Sequence, residues 1–210
     1  MKSPEQIQST NFLFFSMHLI NQLALLIKIT RSYRIARRYF VVNGFDGALT
    51  ILGLLMGFYV SNQIDLPVII SVCLGASIAL CMSGITSAYI SEAAEKQREL
   101  KNLEEAMLKN LENSAYGQAA RIIPIVIAII NGLTPLLISL VIMSPLVLAH
   151  WQPGLIHQPL EIATILAFAV IFLLGVFLGR ISGHFWLWSG IKALIVAVVT
   201  ALIIYFLKPL

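Results

Sequence analysis

Five apolar stretches run through the sequence, and short polar segments separate them. They cover residues 41–60, 67–91, 119–144, 161–179 and 186–207. Each is long enough to cross the hydrocarbon layer of a bilayer, which takes about 20 mostly apolar residues in a helix. Only 11% of the residues are charged, against about 25% in an average soluble domain. The sequence therefore predicts an all-α, polytopic membrane protein with five transmembrane helices.

The lysine and arginine residues predict how these helices are oriented. They are concentrated before residue 41 and between residues 92 and 121, whereas the segments 61–66 and 145–160 contain none. Basic short loops stay on the cytoplasmic side during insertion. We therefore expect a cytoplasmic N-terminus and charged segment and an outside C-terminus, in the plasma membrane if the protein is prokaryotic. Because the basic residues flank the membrane instead of covering an exposed domain, we do not expect nucleic-acid binding.

The first forty residues, 1–40, are expected to form a region of their own in the cytoplasm or at the membrane surface. Residues 11–29 are apolar but interrupted by polar side chains, and a basic run from Lys28 to Arg38 follows them. An amphipathic helix lying in the interface, with its cationic end near anionic headgroups, fits this pattern. The alternative is a sixth spanning helix. The rest of the chain divides into spans one and two (41–91), a charged segment (92–118) and spans three to five (119–210).

The charged segment is predicted to be a cytoplasmic amphipathic helix that extends the second span. Its large apolar residues recur every three or four positions, which places them on one helix face. They are Leu100, Leu103, Met107 and Leu111. Polar and small residues between Asn113 and Gly117 are expected to end this helix.

Three glutamates at the start of the charged segment share one face of the predicted helix. They are Glu92, Glu95 and Glu99. Adjacent like charges repel each other unless a cation lies between them. One interpretation is therefore a metal-binding patch, and the other is a solvated helix face.

Asp46 is the candidate functional residue inside the membrane, because it lies a turn or two inside the first span. A carboxylate in a span costs about 3 kcal/mol by insertion scales and marks ion pathways and proton relays. It offers a divalent cation a hard oxygen ligand and can exchange that cation for a proton. Its neighbours on the helix are polar or small: Asn43, Gly47, Thr50, Gly53 and Gly57. The polar neighbours suit a narrow pore and the glycines suit close helix packing. The alternative is a carboxylate near the interface, paired with Arg37 or Arg38.

Sulfur-containing side chains in the second span are further candidate metal ligands. Thiol and thioether groups favour softer metals such as ferrous iron. Met82 is the candidate ligand among them. Cys73 and Cys81 lie eight residues apart in one predicted helix, so they cannot form a disulfide with each other. Apolar packing explains such residues in a membrane helix equally well.

The histidine residues form no recognisable metal or catalytic motif. His150 and His157 are interpreted as residues of the outer loop, and His184 as a residue of an inner turn. The sequence contains neither His-Glu-x-x-His nor a phosphate-binding glycine loop. We therefore expect neither an enzyme nor an ATP-driven pump, and no tightly bound cofactor.

Several short motifs follow one another in a characteristic order between residues 35 and 207. They are Asn43-Gly44-Phe45-Asp46-Gly47, a small-residue second span ending in Tyr89, Asn131-Gly132-Leu133-Thr134-Pro135 with Pro145, Gly179-Arg180 to Gly183, and Ser189-Gly190. In this order the motifs resemble those of the vacuolar iron transporter family, which consists of small five-span divalent-metal transporters.

The resemblance implies a homodimer in a lipid bilayer, with a translocation path between the two copies of the first span. It implies export of Fe²⁺ or Mn²⁺ from the cytosol against protons, with Asp46 as the metal and proton site. The cytoplasmic glutamates would collect metal at the inner end of the path. The sequence departs from the family in two respects. The charged segment is shorter than the family's metal-binding domain, and Gly84 stands where the family tends to have a methionine, two positions from Met82.

Two other functions remain open at this point. One is a non-transporting membrane subunit or regulator that keeps the fold without the metal chemistry, which the short charged segment permits. The other is secondary transport of a different small cation or solute. Saturable binding of Fe²⁺ or Mn²⁺ to the purified protein separates the first alternative from metal transport.

Overall fold

The computed structural model describes residues 32–62, 65–152, 154, 156–183 and 185–207. Five α-helices make up almost all of them: α1 (Ser32–Val60), α2 (Leu66–Met107), α3 (Ala115–Trp151), α4 (Pro159–Ser182) and α5 (Trp186–Phe206). Each is long and apolar enough to cross a membrane, and no strand occurs among the described residues. The prediction of an all-helical protein with five membrane-spanning helices is confirmed. The expected interfacial helix over residues 11–29 lies outside the described part of the chain.

Helices α1 and α2 are longer than the apolar stretches that they contain. Helix α1 begins at Ser32, so Arg37 and Arg38 lie on the same continuous helix as the first span. Helix α2 passes from the second span into the charged segment without a break. It ends at Met107, earlier than expected, because Leu108 adopts the left-handed conformation with a φ of 49°.

Helix α3 is also longer than predicted, and this corrects one assignment. It continues to Trp151 although it contains Pro145, since a membrane helix tolerates proline where neighbouring helices satisfy the freed backbone groups. His150 therefore lies in the last turn of α3 and not in a loop. His157 lies in the segment before α4, as expected, and His184 lies outside the described residues.

The chain divides into two compact units. Of the described residues, those in 32–37 and 89–127 belong to the charged unit, and those in 38–88 and 128–207 belong to the membrane unit. Helices α1, α2 and α3 contribute to both. The core of the membrane unit is formed by fully buried side chains from all five helices, including Leu52, Leu55, Cys73, Ile142, Met143, Ala167, Ile171 and Ala197. Both cysteines are buried free thiols.

Helices α4 and α5 form a tightly packed hairpin in the membrane unit. Gly183 ends α4 in the left-handed conformation with a φ of 70°, and its N–H donates to the carbonyl oxygen of Gly179. A Cβ atom at Gly175 would lie 2.8 Å from the carbonyl oxygen of Ser189. The two backbones therefore approach each other at a distance that only glycine permits.

Basic and aromatic side chains meet near the α4–α5 turn. The Arg180 guanidinium lies 5.8 Å from the Trp186 ring centroid, and the Lys192 ammonium lies 5.9 Å from that of Trp188. Cations stack on tryptophan rings in this way with a favourable energy. Tryptophan and basic residues together are typical of the level where a helix leaves the membrane.

Candidate intramembrane polar site

Asp46 lies on the first spanning helix, which runs from Ile35 to Val60. At about 1.5 Å per residue it is roughly 12 Å from the level of Arg38 and roughly 21 Å from that of Val60. Its side chain is exposed on the surface of the chain. Among the described residues no cationic group and no hydrogen-bond donor contacts its carboxylate. The ion pair with Arg37 or Arg38, considered as an alternative, is therefore not formed.

A strip of polar and small residues extends from Asp46 along one face of α1. Thr50, Gly53 and Gly57 follow Asp46 at intervals of four, three and four residues, which keeps them within about 40° of it around the helix. A Cβ atom at Gly57 would meet nothing within 4 Å, and one at Gly53 would meet only Ile204 Cδ1, at 3.6 Å. The strip is therefore a shallow groove on the surface of the chain. Seams between paired helices have this seven-residue spacing.

Gly47 has a different role from the other two glycines of α1. A Cβ atom there would lie 2.7 Å from Cα of Pro135 and 2.8 Å from its carbonyl oxygen. Gly47 is buried, and its missing side chain allows α1 to pack directly against α3. Of the three glycines considered for helix packing, Gly47 thus packs within the chain, whereas Gly53 and Gly57 face the groove.

A chain of hydrogen bonds joins α1, α3 and α2 beside Asp46. The Asn43 amide nitrogen donates to the carbonyl oxygen of Tyr39 at 3.0 Å and to Oδ1 of Asn131. The Asn131 amide nitrogen in turn donates to the carbonyl oxygen of Gly84 at 2.7 Å. Asn131 is 3% exposed. We call these two side chains and two carbonyl groups the amide network.

The amide network lies at a close crossing of α2 and α3. A Cβ atom at Gly132 would lie 2.5 Å from the carbonyl oxygen of Cys81, and one at Gly84 would lie 3.1 Å from Cα of Gly132. This proximity brings Asn131 within reach of the Gly84 carbonyl oxygen. A side chain at Gly84 would press against the α3 backbone at this crossing.

Sulfur atoms are not part of the amide network. Met82, the candidate sulfur ligand, is 58% exposed on the surface of α2. Cys73 and Cys81 point into the buried side of the same helix. The amide network thus consists of amide groups and backbone carbonyl oxygens.

The three glutamates of the predicted metal-binding patch differ in environment. Glu92 is buried, whereas Glu95 and Glu99 are exposed. The Lys96 ammonium, itself buried, lies 2.6 Å from Oε2 of Glu99. Within the described ranges no three His, Cys, Asp or Glu side chains are grouped so that they could hold a metal ion. The cation that contacts Glu99 is therefore a lysine of the same helix.

Asn131 is the residue of this site that sequence reasoning did not single out. It opens the motif Asn131-Gly132-Leu133-Thr134-Pro135, which by itself predicts no role for the asparagine. The available signal was an asparagine in the middle of an apolar stretch, because a polar side chain there needs a hydrogen-bond partner on another helix. The identity of that partner depends on which helices cross at this level.

Comparison with known proteins gives one clear relative. The chain is 31% identical over 174 residues to the uncharacterized protein MJ0645 of Methanocaldococcus jannaschii, and the match covers 81% of this chain and 87% of the archaeal protein. The chain belongs to the same family as this archaeal protein. No protein-family model matches the chain, and no solved structure matches it. The resemblance to the vacuolar iron transporter family stays a prediction.

Proposed function

We propose that this protein is a divalent transition-metal transporter that exports Fe²⁺ or Mn²⁺ from the cytosol in exchange for protons. The observation that carries the proposal is the position of Asp46. Its carboxylate is exposed about two turns beyond Arg38 on the first spanning helix, and no described residue neutralises it. Because a carboxylate that faces lipid inside a span costs about 3 kcal/mol by insertion scales, such residues line ion or proton pathways. A divalent cation and a proton compete for the same carboxylate, which is the physical basis of exchange.

The groove beside Asp46 supports a homodimer formed through α1. A two-fold axis along the groove would place the same strip of both copies face to face, as in other isologous interfaces. Gly53 and Gly57 leave room for the partner helix, and each copy would contribute one Asp46 to a shared polar path. The carboxylates would then face each other and the path instead of lipid. The proposed orientation has the N-terminus in the cytoplasm and the C-terminus outside.

The donor atoms around Asp46 suit a hard or intermediate divalent cation. Asp46 offers carboxylate oxygens, Thr50 a hydroxyl and Asn43 an amide carbonyl. Carboxylate and carbonyl ligands suit Mn²⁺ and related cations, whereas thiolate and thioether ligands select softer metals. The proposed site therefore depends on oxygen atoms of α1, and Met82, which is exposed on α2, is a further candidate ligand.

Replacing Asp46→Asn tests the proposal, because asparagine keeps the shape of the side chain but cannot bind a proton and lacks the charge. We expect the variant, reconstituted into proteoliposomes, to lose Mn²⁺ and Fe²⁺ flux and the proton movement coupled to it. Asp65 is the chain's other aspartate and lies just before α2, so Asp65→Asn is the matched control and should retain flux. Wild-type flux in the Asp46→Asn variant would refute the site.

Cross-linking tests the proposed dimer interface independently of transport. A Cβ atom at Gly57 would meet none of the described residues within 4 Å, and a disulfide forms when two Cα atoms lie about 4.4–6.8 Å apart. We expect Gly57→Cys to give an oxidised dimer in membranes. Gly75→Cys, also in open space but on α2, is the control and should stay monomeric on a reducing-agent-free gel. Equal cross-linking of both variants would contradict dimerisation through α1.

A second candidate function is a non-transporting membrane subunit or regulator. The ion pair between Lys96 and Glu99 favours it, because the ammonium group occupies the position beside the carboxylate that a collected metal ion would take. Equilibrium binding of Mn²⁺ to the purified protein decides between the two. Transport requires saturable binding that Asp46→Asn abolishes, whereas a subunit of this kind would show none.

A further inference from the structure

The amide network has only one possible arrangement of donors and acceptors. Both of its ends are backbone carbonyl oxygens, those of Tyr39 and Gly84, and a carbonyl oxygen only accepts hydrogen bonds. Asn131 must therefore turn its NH₂ group towards Gly84, which leaves its oxygen to accept from Asn43. Asn43 must turn its own NH₂ group towards Tyr39 and Asn131. The orientation of both amides thus follows from the backbone of two helices.

This arrangement leaves one oxygen atom without a donor. Oδ1 of Asn43 accepts no hydrogen bond within the described part of the chain. Among the described residues, the side-chain polar atom that is both buried and without a hydrogen-bond partner is Oγ of Ser139. Since Oδ1 of Asn43 also has no partner there, it is not buried. Oδ1 therefore reaches the surface of the chain, one helical turn from Asp46.

We propose that Asn131 is a positioning residue that holds the Asn43 amide with its carbonyl oxygen, and not its NH₂ group, beside Asp46 as a second cation ligand. An unrestrained amide can rotate by half a turn about its terminal bond at little cost, since that torsion is broad and two-fold. The rotated amide would present an NH₂ group, which repels a cation. The Tyr39 carbonyl oxygen opposes this rotation from within α1, and Asn131 adds a second acceptor for the Asn43 NH₂ group from the buried side, so that rotation would break two hydrogen bonds.

The inference rests on the proposed function, since it assumes that Asp46 binds the transported cation. It adds that Asn131, a buried residue of α3, determines which atom of Asn43 on α1 is available to bind the cation. The position of Asn131 is fixed in turn by the Gly84 carbonyl oxygen of α2, so cation affinity depends on how three helices cross.

Mn²⁺ binding to the detergent-purified full chain tests the inference. Asn131→Leu has a similar volume and removes both the donor and the acceptor. Asn131→Thr is a milder second variant, because the threonine hydroxyl can satisfy itself within α3. It would donate to the carbonyl oxygen four residues earlier, as the Thr134 hydroxyl donates to that of Ile130 at 2.5 Å. We expect either variant to raise the Kd for Mn²⁺ by about 10- to 100-fold, the usual effect of losing a group that orients a metal ligand. In flux assays the KM should rise while the maximal rate changes little.

Two further variants separate positioning from a general structural effect. Ser139→Ala removes another buried polar group from α3 but disturbs no hydrogen bond, and it should bind Mn²⁺ as the wild type does. Asn43→Ala removes the proposed ligand itself. If Asn131 acts through Asn43, the double variant Asn43→Ala, Asn131→Leu should bind no more weakly than Asn43→Ala alone.

Each result bears on one of the two proposals. A wild-type Kd in a folded Asn131→Leu or Asn131→Thr variant would overturn the positioning role, as would additive losses in the double variant. The transport proposal would stand in either case if Asp46→Asn abolished binding. A wild-type protein that does not bind Mn²⁺, or an Asp46→Asn variant that binds it normally, would overturn both.

Discussion

Replacing Gly132→Ala should destabilise the crossing of α2 and α3, because the added methyl group would meet the backbone of α2. The added methyl group would lie 2.5 Å from the carbonyl oxygen of Cys81 and 2.4 Å from Cγ1 of Ile85. The Ile85 side chain can rotate away. The Cys81 carbonyl oxygen cannot, because it belongs to the helix backbone, so the helices have to separate by about 0.9 Å to restore a 3.4 Å contact.

Three energy terms then decide the outcome. Overpacking costs about 1–3 kcal/mol. A separation of this size would also break the 2.7 Å hydrogen bond between Asn131 and Gly84, at a cost of about 1 kcal/mol. Alanine regains about 1 kcal/mol of helix propensity over glycine. The net loss is about 1–3 kcal/mol, which corresponds to roughly 3–10 °C in Tm for a chain of this size.

Thermal unfolding in detergent, followed by tryptophan fluorescence, measures this loss. Gly75→Ala is the matched control, because a methyl group at that position of α2 meets nothing within 4 Å. It should leave the Tm unchanged or raise it slightly through helix propensity. A Gly132→Ala variant that is as stable as Gly75→Ala would refute the close crossing and, with it, the geometry that brings Asn131 to Gly84.

Two further predictions concern α1 and the charged unit. Gly47→Ala should lower the Tm by several degrees, because its methyl group would meet the α3 backbone at 2.7 Å. Gly57→Ala, whose methyl group meets no described residue within 4 Å, should leave the Tm unchanged. Equal Tm values for the two variants would contradict the distinct roles of these glycines. The Leu111 N–H donates to Oε1 of Glu104 at 2.7 Å, so Glu104→Ala should accelerate amide hydrogen exchange at Leu111 by about tenfold or more. The exposed neighbour Glu105 provides the control, and Glu105→Ala should leave the exchange rate of Leu111 unchanged.

The number and type of helices were predictable because apolar length alone reports them. The helix ends were not, since hydropathy marks where a helix is apolar and not where its hydrogen bonding stops. Helix α2 continues past residue 91 because the charged segment is rich in glutamate, lysine, alanine and leucine, which are good helix formers. It ends at a leucine in the left-handed conformation, Leu108. No glycine or proline signals that end in the sequence.

The parts of the site that lie on a single helix were also predictable. Periodicity alone places Asp46, Thr50, Gly53 and Gly57 on one face of α1. Gly47, which we predicted to serve helix packing together with Gly53 and Gly57, lies about 100° from Asp46 around the helix and so belongs to a different face. The amide network is different in kind. Asn43 and Asn131 are 88 positions apart in the chain, and their pairing follows from the crossings of three helices, which no local pattern contains.

Asn43 lies where the packed interior of the membrane unit and the open groove meet. It is about 60° from Asp46 around α1, between the groove and the buried face that carries Gly47 and Ala48. Its NH₂ group is held on the interior side by Asn131, and its oxygen reaches the surface. The close packing that stabilises α1 against α3, and the crossing of α3 with α2, therefore also decide which atom faces the proposed path. A substitution at a glycine of either crossing should for this reason weaken cation binding as well as stability, although none of these glycines contacts the cation.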